Sequence, residues 1–208
     1  MITLTAVLLA GGESHRMGRD KATIEFEEQP LWQRQIETLR SVGPERILVS
    51  ARMEPSWLPV DTDFLQDDPP SRGPLSGLTK ALAAMRTTHL VALAVDMPFI
   101  TSEQLRRLCK LAETGRGVVP LIGDRAEPLA AVYPAEASSD FGAALAGTDF
   151  SLQGLTRKLA AREKARLYAV PVEDEHFYRS VNEPGDFKEG RFPNRPPKDI
   201  GGLETAAP

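Results

Sequence analysis

Runs of apolar, β-prone residues alternate along this chain with stretches whose apolar residues recur at helical spacing, and that alternation restricts the fold more than any other feature. Strands are expected over residues 4–9, 46–50, 90–95, 117–122, 129–133 and 167–172, and helices over 31–42, 75–85, 102–114, 139–146 and 152–162. Ser102, followed by Glu103 and Gln104, reads as a helix start and Gly115 as a helix stop. Strands joined through helices pair in parallel, and the helices then cover the sheet. The expected fold is therefore a single three-layer α/β domain, a mostly parallel sheet with helices on both faces. A chain of 208 residues with 41% hydrophobic content buries one sizeable core. The domain is expected to span residues 1–189. From Gly190 onward Pro, Gly and charged residues dominate, so 190–208 read as a disordered tail.

Charge narrows the partners. The formal net charge is −4 and the Lys and Arg residues are scattered, without the basic stripe that nucleic acid requires. No apolar run approaches the roughly 20 residues that span a bilayer, and the N-terminus lacks the pattern of a secretory signal. These features point to a cytoplasmic protein with neither a nucleic-acid nor a membrane partner. Cys109 is the single cysteine and sits at helical spacing among Leu105, Leu108 and Leu111, which reads as packing. His15, His89 and His176 show no ligand spacing, so zinc is not expected.

The segment L-A-G-G-E-S-H-R-M-G-R-D-K-A, residues 9–22, follows the first apolar run directly. A glycine-rich loop after a buried strand lets backbone N–H groups approach phosphate. Gly11 and Gly12 allow that approach, and Arg16 and Lys21 add positive charge. The spacing matches neither G-x-x-x-x-G-K-[ST] nor G-x-G-x-x-G, which argues against a P-loop NTPase and a dinucleotide-binding domain.

Three further stretches carry chemistry. V-A-L-A-V-D-M-P-F-I, residues 91–100, is an apolar strand that ends in Asp96. A carboxylate at that end of a parallel strand can hold Mg²⁺ against substrate phosphates, or it can tie a turn. Q-D-D-P-P-S-R-G-P-L-S-G-L, residues 66–78, places Gly73 and Pro74 at a helix entry whose N–H groups face an anion or a base edge; an ordinary capped helix fits the same residues. S-V-N-E-P-G-D-F, residues 180–187, sets Asn182 where it could reach a metal or an acceptor, or cap a helix.

Together, residues 9–22 resemble the signature L-A-G-G-x-S-x-R-M-G-x-D-K-A of molybdenum cofactor guanylyltransferases, within the larger MobA-like group of nucleotidyltransferases, and match every fixed position of it. The resemblance implies a Rossmann-like nucleotidyltransferase that moves GMP from Mg²⁺-GTP to molybdopterin bearing molybdenum and releases pyrophosphate. It implies that Arg16, Lys21 and Asp96 are catalytic and that Asp96 holds the Mg²⁺. Nucleotide binding would fall to Leu9, Ala10, Gly11, Gly12, Lys21, Asp67, Gly73 and Asp96, with Asp68 as the neighbouring alternative to Asp67. Asn182 would contact the acceptor, and the E-P-L-A-A-V-Y-P stretch, residues 127–134, resembles a segment beside it. Cytidylyl relatives typically carry L-A-A-G where this chain has L-A-G-G, which favours guanine. The expected protein is a monomer that meets cofactor-biosynthesis proteins or molybdoenzymes transiently. The alternatives are a molybdopterin cytidylyltransferase, a sugar-phosphate nucleotidyltransferase, or a GTP-binding protein without turnover.

Overall fold

β1 (Leu4–Leu9) is the strand on which the sheet is organised. Its Ala6, Val7 and Leu8 are fully buried, because it is flanked by strands on both sides and covered on both faces. The computed structural model describes residues 1–11, 20–67 and 70–181. After β1 come a 3-10 turn (Lys21–Thr23), the two-residue strands β2 (Glu25–Phe26) and β3 (Gln29–Pro30), and α1 (Leu31–Arg40). β4 (Arg46–Ala51), β5 (Asp63–Gln66), α2 (Pro74–Ala84), β6 (His89–Ala94) and α3 (Ser102–Leu111) follow. The remainder is β7 (Gly117–Ile122), β8 (Arg125–Ala126), β9 (Ala130–Pro134), α4 (Ser138–Ala146), α5 (Leu152–Ala161) and β10 (Ala165–Ala169), ending in a 3-10 segment, Val172–Tyr178.

The eight-stranded sheet runs β10-β7-β9-β6-β1-β4-β5, with β8 paired to β7. β1 pairs in parallel with β4 and β6, β4 with β5, and β7 with β10. β9 is antiparallel to both β6 and β7, because it returns from the β7–β8 hairpin instead of crossing over through a helix. The sheet is thus mostly parallel, as expected from sequence.

Odd and even residues of the central strands feed different layers. Ala6, Leu8, Val49 and Val91 pack against Leu31, Ile36 and Leu39 of α1 and Leu105 and Leu108 of α3. Val7, Leu48 and Leu90 pack against Leu75 and Leu78 of α2, Phe141 of α4 and Leu155 of α5. Continuous apolar runs on strands buried on both faces produce this two-sided core.

Three departures from expectation have identifiable reasons. α3 begins at Ser102, with Thr101 as N-cap and its Oγ1 against the Gln104 side chain, but it stops at Leu111. Gly115, expected as the stop, instead supplies φ 73° in the tight turn where Glu113 and Arg116 exchange backbone hydrogen bonds of 2.9 Å. The last strand is shifted to Ala165–Ala169, because Pro171 has no N–H to continue the pairing and Val172 opens the 3-10 segment. β5 has the charged Asp63 and only four residues, too short and too polar to stand out as a strand. The boundary expected at residue 189 and the tail lie outside the described residues.

Candidate nucleotide site

The registers Leu9↔Ser50, Leu9↔Ala94 and Ala51↔Gln66 bring the carboxyl ends of β1, β4, β5 and β6 to one edge of the sheet. Beyond that edge lies a cavity of about 400 Å³ lined, among others, by Leu9, Ala10, Gly11, Lys21, Asp67, Gly73 and Asp96. Seven of the residues singled out from sequence are therefore gathered round one space, although they come from three stretches far apart in the chain. Gly12, Arg16, Asp68 and Asn182 lie outside the described residues. Val181, the residue before Asn182, donates its N–H to the Asp96 carbonyl at 2.7 Å.

The floor is backbone held in the sheet. Ala10 N–H donates to Ser50 O at 2.8 Å, and Leu9 O accepts from Val95 N–H at 3.1 Å. These main-chain groups of Leu9 and Ala10 are thus bound into the fold. Gly11 is where space runs out: a Cβ there would stand 2.7 Å from Asp67 Oδ2. Asp67 cannot easily withdraw, since its N–H donates to Ala51 O at 2.9 Å and its Oδ1 accepts from Ser50 Oγ at 2.7 Å. It is buried, with 7% of its surface exposed.

α2 closes one wall. Gly73 holds φ 64° as its N-cap and Pro74 occupies the first turn, where its missing N–H costs nothing. Gly77, one turn on, presses against Leu9 and Ser50: a Cβ there would lie 2.9 Å from Leu9 Cδ2 and would run into Ser50 Oγ. The positive end of α2 therefore opens on the cavity. Ser50 did not stand out in the sequence; a lone serine near the end of an apolar strand was the available signal.

Lys21 and Asp96 face each other across the opening. Asp20 sets the Lys21 turn: its Oδ1 accepts from Ala22 N–H at 3.0 Å and its Oδ2 from Trp57 Nε1 at 2.9 Å, while Trp57 stacks on Trp32 at 5.3 Å between centroids. Lys21 Nζ lies 3.5 Å from Asp96 Oδ2 and donates to Val181 O at 3.4 Å. Burial pushes the Asp96 carboxyl above its ordinary value, and Lys21 offsets part of that rise. Glu127 enters the same edge because antiparallel β9 starts there; its Oε1 accepts from Leu129 N–H at 3.4 Å. Burial raises its carboxyl too, with the Asp96 charge adding to the effect. Of the other sequence candidates, His89 is fully buried between Thr88 Oγ1 and Glu113 O, at 3.0 Å each, and has no part in this site.

A cation, a helix N-terminus and a glycine approach beside a carboxylate suit an anionic ligand whose negative charge is shared with a divalent ion. The model of the MobA-like NTP transferase domain matches residues 6–166. This chain belongs to the MobA-like NTP transferase family. It is 36% identical over 189 residues to a protein of Opitutus terrae named "Probable molybdenum cofactor guanylyltransferase", covering 88% of this chain and 92% of that one. It is 34% identical to the molybdenum cofactor guanylyltransferase of Cereibacter sphaeroides, over 88% and 93% of the two chains. In fold it matches the molybdopterin-guanine dinucleotide biosynthesis protein A of Archaeoglobus fulgidus, with a TM-score of 0.70 and 22% identity, over 89% of this chain and 95% of that one. A nucleotidyl transferase of Methanothermobacter superposes with a TM-score of 0.73 at 16% identity, over 91% and 96% of the chains. This member of the MobA-like family is accordingly a nucleotidyltransferase, and the α/β fold read from its sequence is that of its relatives.

Proposed function

We propose that this chain transfers GMP from GTP to the terminal phosphate of molybdopterin bearing molybdenum, forming the guanine dinucleotide cofactor and pyrophosphate. The observation that carries the reading is the pairing of Lys21 with Asp96 at the carboxyl edge of the sheet, in the same cavity as Gly11 and Asp67. Family membership and the guanylyltransferase names of its relatives support the choice of donor and acceptor.

In this reading an oxygen of the acceptor phosphate attacks the α-phosphorus of GTP, the bond from that phosphorus to the β-bridging oxygen breaks, and pyrophosphate leaves with the electron pair. The attacking oxygen is already an anion at neutral pH, so no side chain has to take a proton from it. The work of the protein is alignment and charge neutralisation. Gly11 and Gly12 give the triphosphate its close approach. Lys21 and Arg16 meet the charge growing on the leaving group. The buried Asp67 and the entry of α2 at Gly73 hold the nucleotide from the opposite wall, and Asn182 contacts the acceptor.

Asp96 fits a magnesium ion: its carboxylate lines the same cavity as Gly11 and the entry of α2, where phosphates would sit, and Mg²⁺ is commonly held by one or two carboxylates with substrate phosphates completing its shell. Bound there, the ion would neutralise the phosphate oxygens at the reacting centre. No helix among the described residues is long and apolar enough to cross a membrane. A cytoplasmic monomer that passes its product to molybdoenzymes fits this chemistry.

The deciding experiment is binding of the four nucleoside triphosphates with Mg²⁺, followed by pyrophosphate release on addition of molybdenum-loaded molybdopterin. GTP should bind best and release pyrophosphate only with the acceptor present. Tighter binding of CTP would assign the chain to cytidylyl transfer, and GTP binding without release would make it a non-catalytic binder.

A further inference from the structure

Each of the three residues after Asp96 is gripped from the segment that leads from the Lys21 turn into α1. Gln35 Nε2 donates to Met97 O at 2.6 Å. Arg34 Nε donates to Pro98 O at 2.7 Å. Phe26 of β2 meets the Phe99 ring edge to face, with centroids 5.4 Å apart, and Arg34 lies over Phe26 at 5.2 Å. Gln35 is the least expected of these groups. It is fully buried on α1 in the company of Leu31, Ile36 and Leu39, and its Oε1 has no hydrogen-bond partner among the described residues. A buried amide with an unpaired oxygen is costly, and an apolar side chain of its size would serve the core better. What the amide supplies that an apolar residue cannot is a donor to the carbonyl directly after Asp96. Within the turn itself the backbone bonds are long, Met97 N–H to Ala94 O at 3.4 Å and Ile100 N–H to Met97 O at 3.3 Å, and from outside the backbone of Val181 holds only the Asp96 carbonyl, at 2.7 Å.

The geometry points to Gln35 as a positioning residue for nucleotidyl transfer: through Met97 O, with Arg34 acting on Pro98 O, it fixes the turn that sets the Asp96 carboxylate against Lys21. This inference rests on the reading that Asp96 acts at the reacting phosphates. Its logic is mechanical. Lys21 and Asp96 are 75 residues apart in sequence, yet both are tied to the same short stretch of chain, so their separation is set by α1 and not by the opposing charges alone. Misplacement of a reacting group by about 1 Å can cost on the order of a hundredfold in rate. A residue remote from the substrate can therefore govern turnover.

The test pairs Gln35→Met with Asp96→Asn, singly and together, and reads melting temperature, GTP affinity and kcat. Gln35→Met keeps the volume and removes both the donor and the unpaired oxygen, so the melting temperature should hold or rise. kcat should fall about tenfold or more while GTP affinity changes less than threefold. In the Asp96→Asn background the same substitution should have no further effect on the residual rate, because its route to the chemistry has gone. Parent-like kcat in Gln35→Met, or an equal loss in both backgrounds, overturns the proposal and leaves Gln35 a packing residue. Should Gln35→Met not fold, Arg34→Met takes its place, since Arg34 grips the next carbonyl from a partly exposed position; it must show the same loss of kcat and the same dependence on Asp96. Full activity of Asp96→Asn alone overturns the reading beneath, and so is told apart from a failure of the Gln35 inference.

Discussion

Lys21 Nζ and Asp96 Oδ2 stand 3.5 Å apart, at the end of a strand on one side and on a single capped turn on the other. The side chains are 17% and 25% exposed, so the pair is neither buried nor freely solvated. That intermediate setting suits groups that must meet a charged ligand: a fully buried pair would be locked together, and an exposed one would be screened.

Removing either partner should separate catalysis from stability. On the proposed reading Lys21→Ala takes away a charge that meets the leaving group, and loss of one such contact costs on the order of a hundredfold in rate. Asp96→Asn keeps the shape and relieves the burial of a carboxylate, so its melting temperature should match or exceed that of the parent while transfer collapses. Thermal melts beside pyrophosphate-release rates check both. An active Asp96→Asn enzyme would reduce Asp96 to a turn-former.

Gly11→Ala tests the close approach proposed for the nucleotide. Gly11 is not among the glycines with positive φ, so an alanine backbone is tolerated there; the space is not, because its Cβ would lie 2.7 Å from Asp67 Oδ2. Overpacking of this kind costs about 1–3 kcal/mol. If Asp67 is pushed off the ligand, that becomes roughly a tenfold to hundredfold loss of GTP affinity, with a smaller change in kcat. Equilibrium binding measures it, and unchanged affinity would show that Asp67 turns away without consequence.

The layered sheet was legible because strands buried on both faces leave long apolar runs, and Val7 and Leu8 need partners on opposite sides. Gly11, Lys21, Gly73 and Asp96 were legible because glycines and charges near strand and helix ends break such runs, whereas Leu9, Ala10 and Asp67 entered only through the resemblance of their motifs to the family's. Ser50, Trp57 and Gln35 were not. Each works through a partner distant in sequence, at separations of 17, 37 and 62 residues, and none interrupts the local pattern in a way that spacing reveals. The antiparallel β9 escaped for the same reason: its apolar run reads alike in either direction.

Cys109 offers a check on packing. Burial pushes its thiol up to about 11, so little thiolate exists at pH 8. Disulfide-exchange reagents should label the native protein far more slowly than the unfolded one, with a lag that disappears in denaturant. Rapid native labelling would mean that α3 opens readily from the sheet.

The last prediction concerns a polar staple on the far side of the molecule. Asp140 of α4 keeps only 4% of its side chain exposed and accepts from Lys164 Nζ at 2.6 Å, while Arg162 closes on its other oxygen. Burial pushes the Asp140 carboxyl up, but the hydrogen bonds and charges of Lys164 and Arg162 outweigh it and hold it below its ordinary value of 3.8. A carboxyl depressed in the folded state contributes stability that is present above its unfolded value and is lost as pH falls through the folded one. Asp140→Asn should therefore lower stability at pH 7, by about 1–3 kcal/mol for hydrogen bonds to a charged group, with Arg162 adding least because it is 65% exposed. Below pH 3.8 the parent progressively loses the same interaction. Denaturant melts of the two proteins should diverge at pH 7 and converge under acid, whereas a difference that persists unchanged at low pH would show that the substituted amide fails by shape and not by charge.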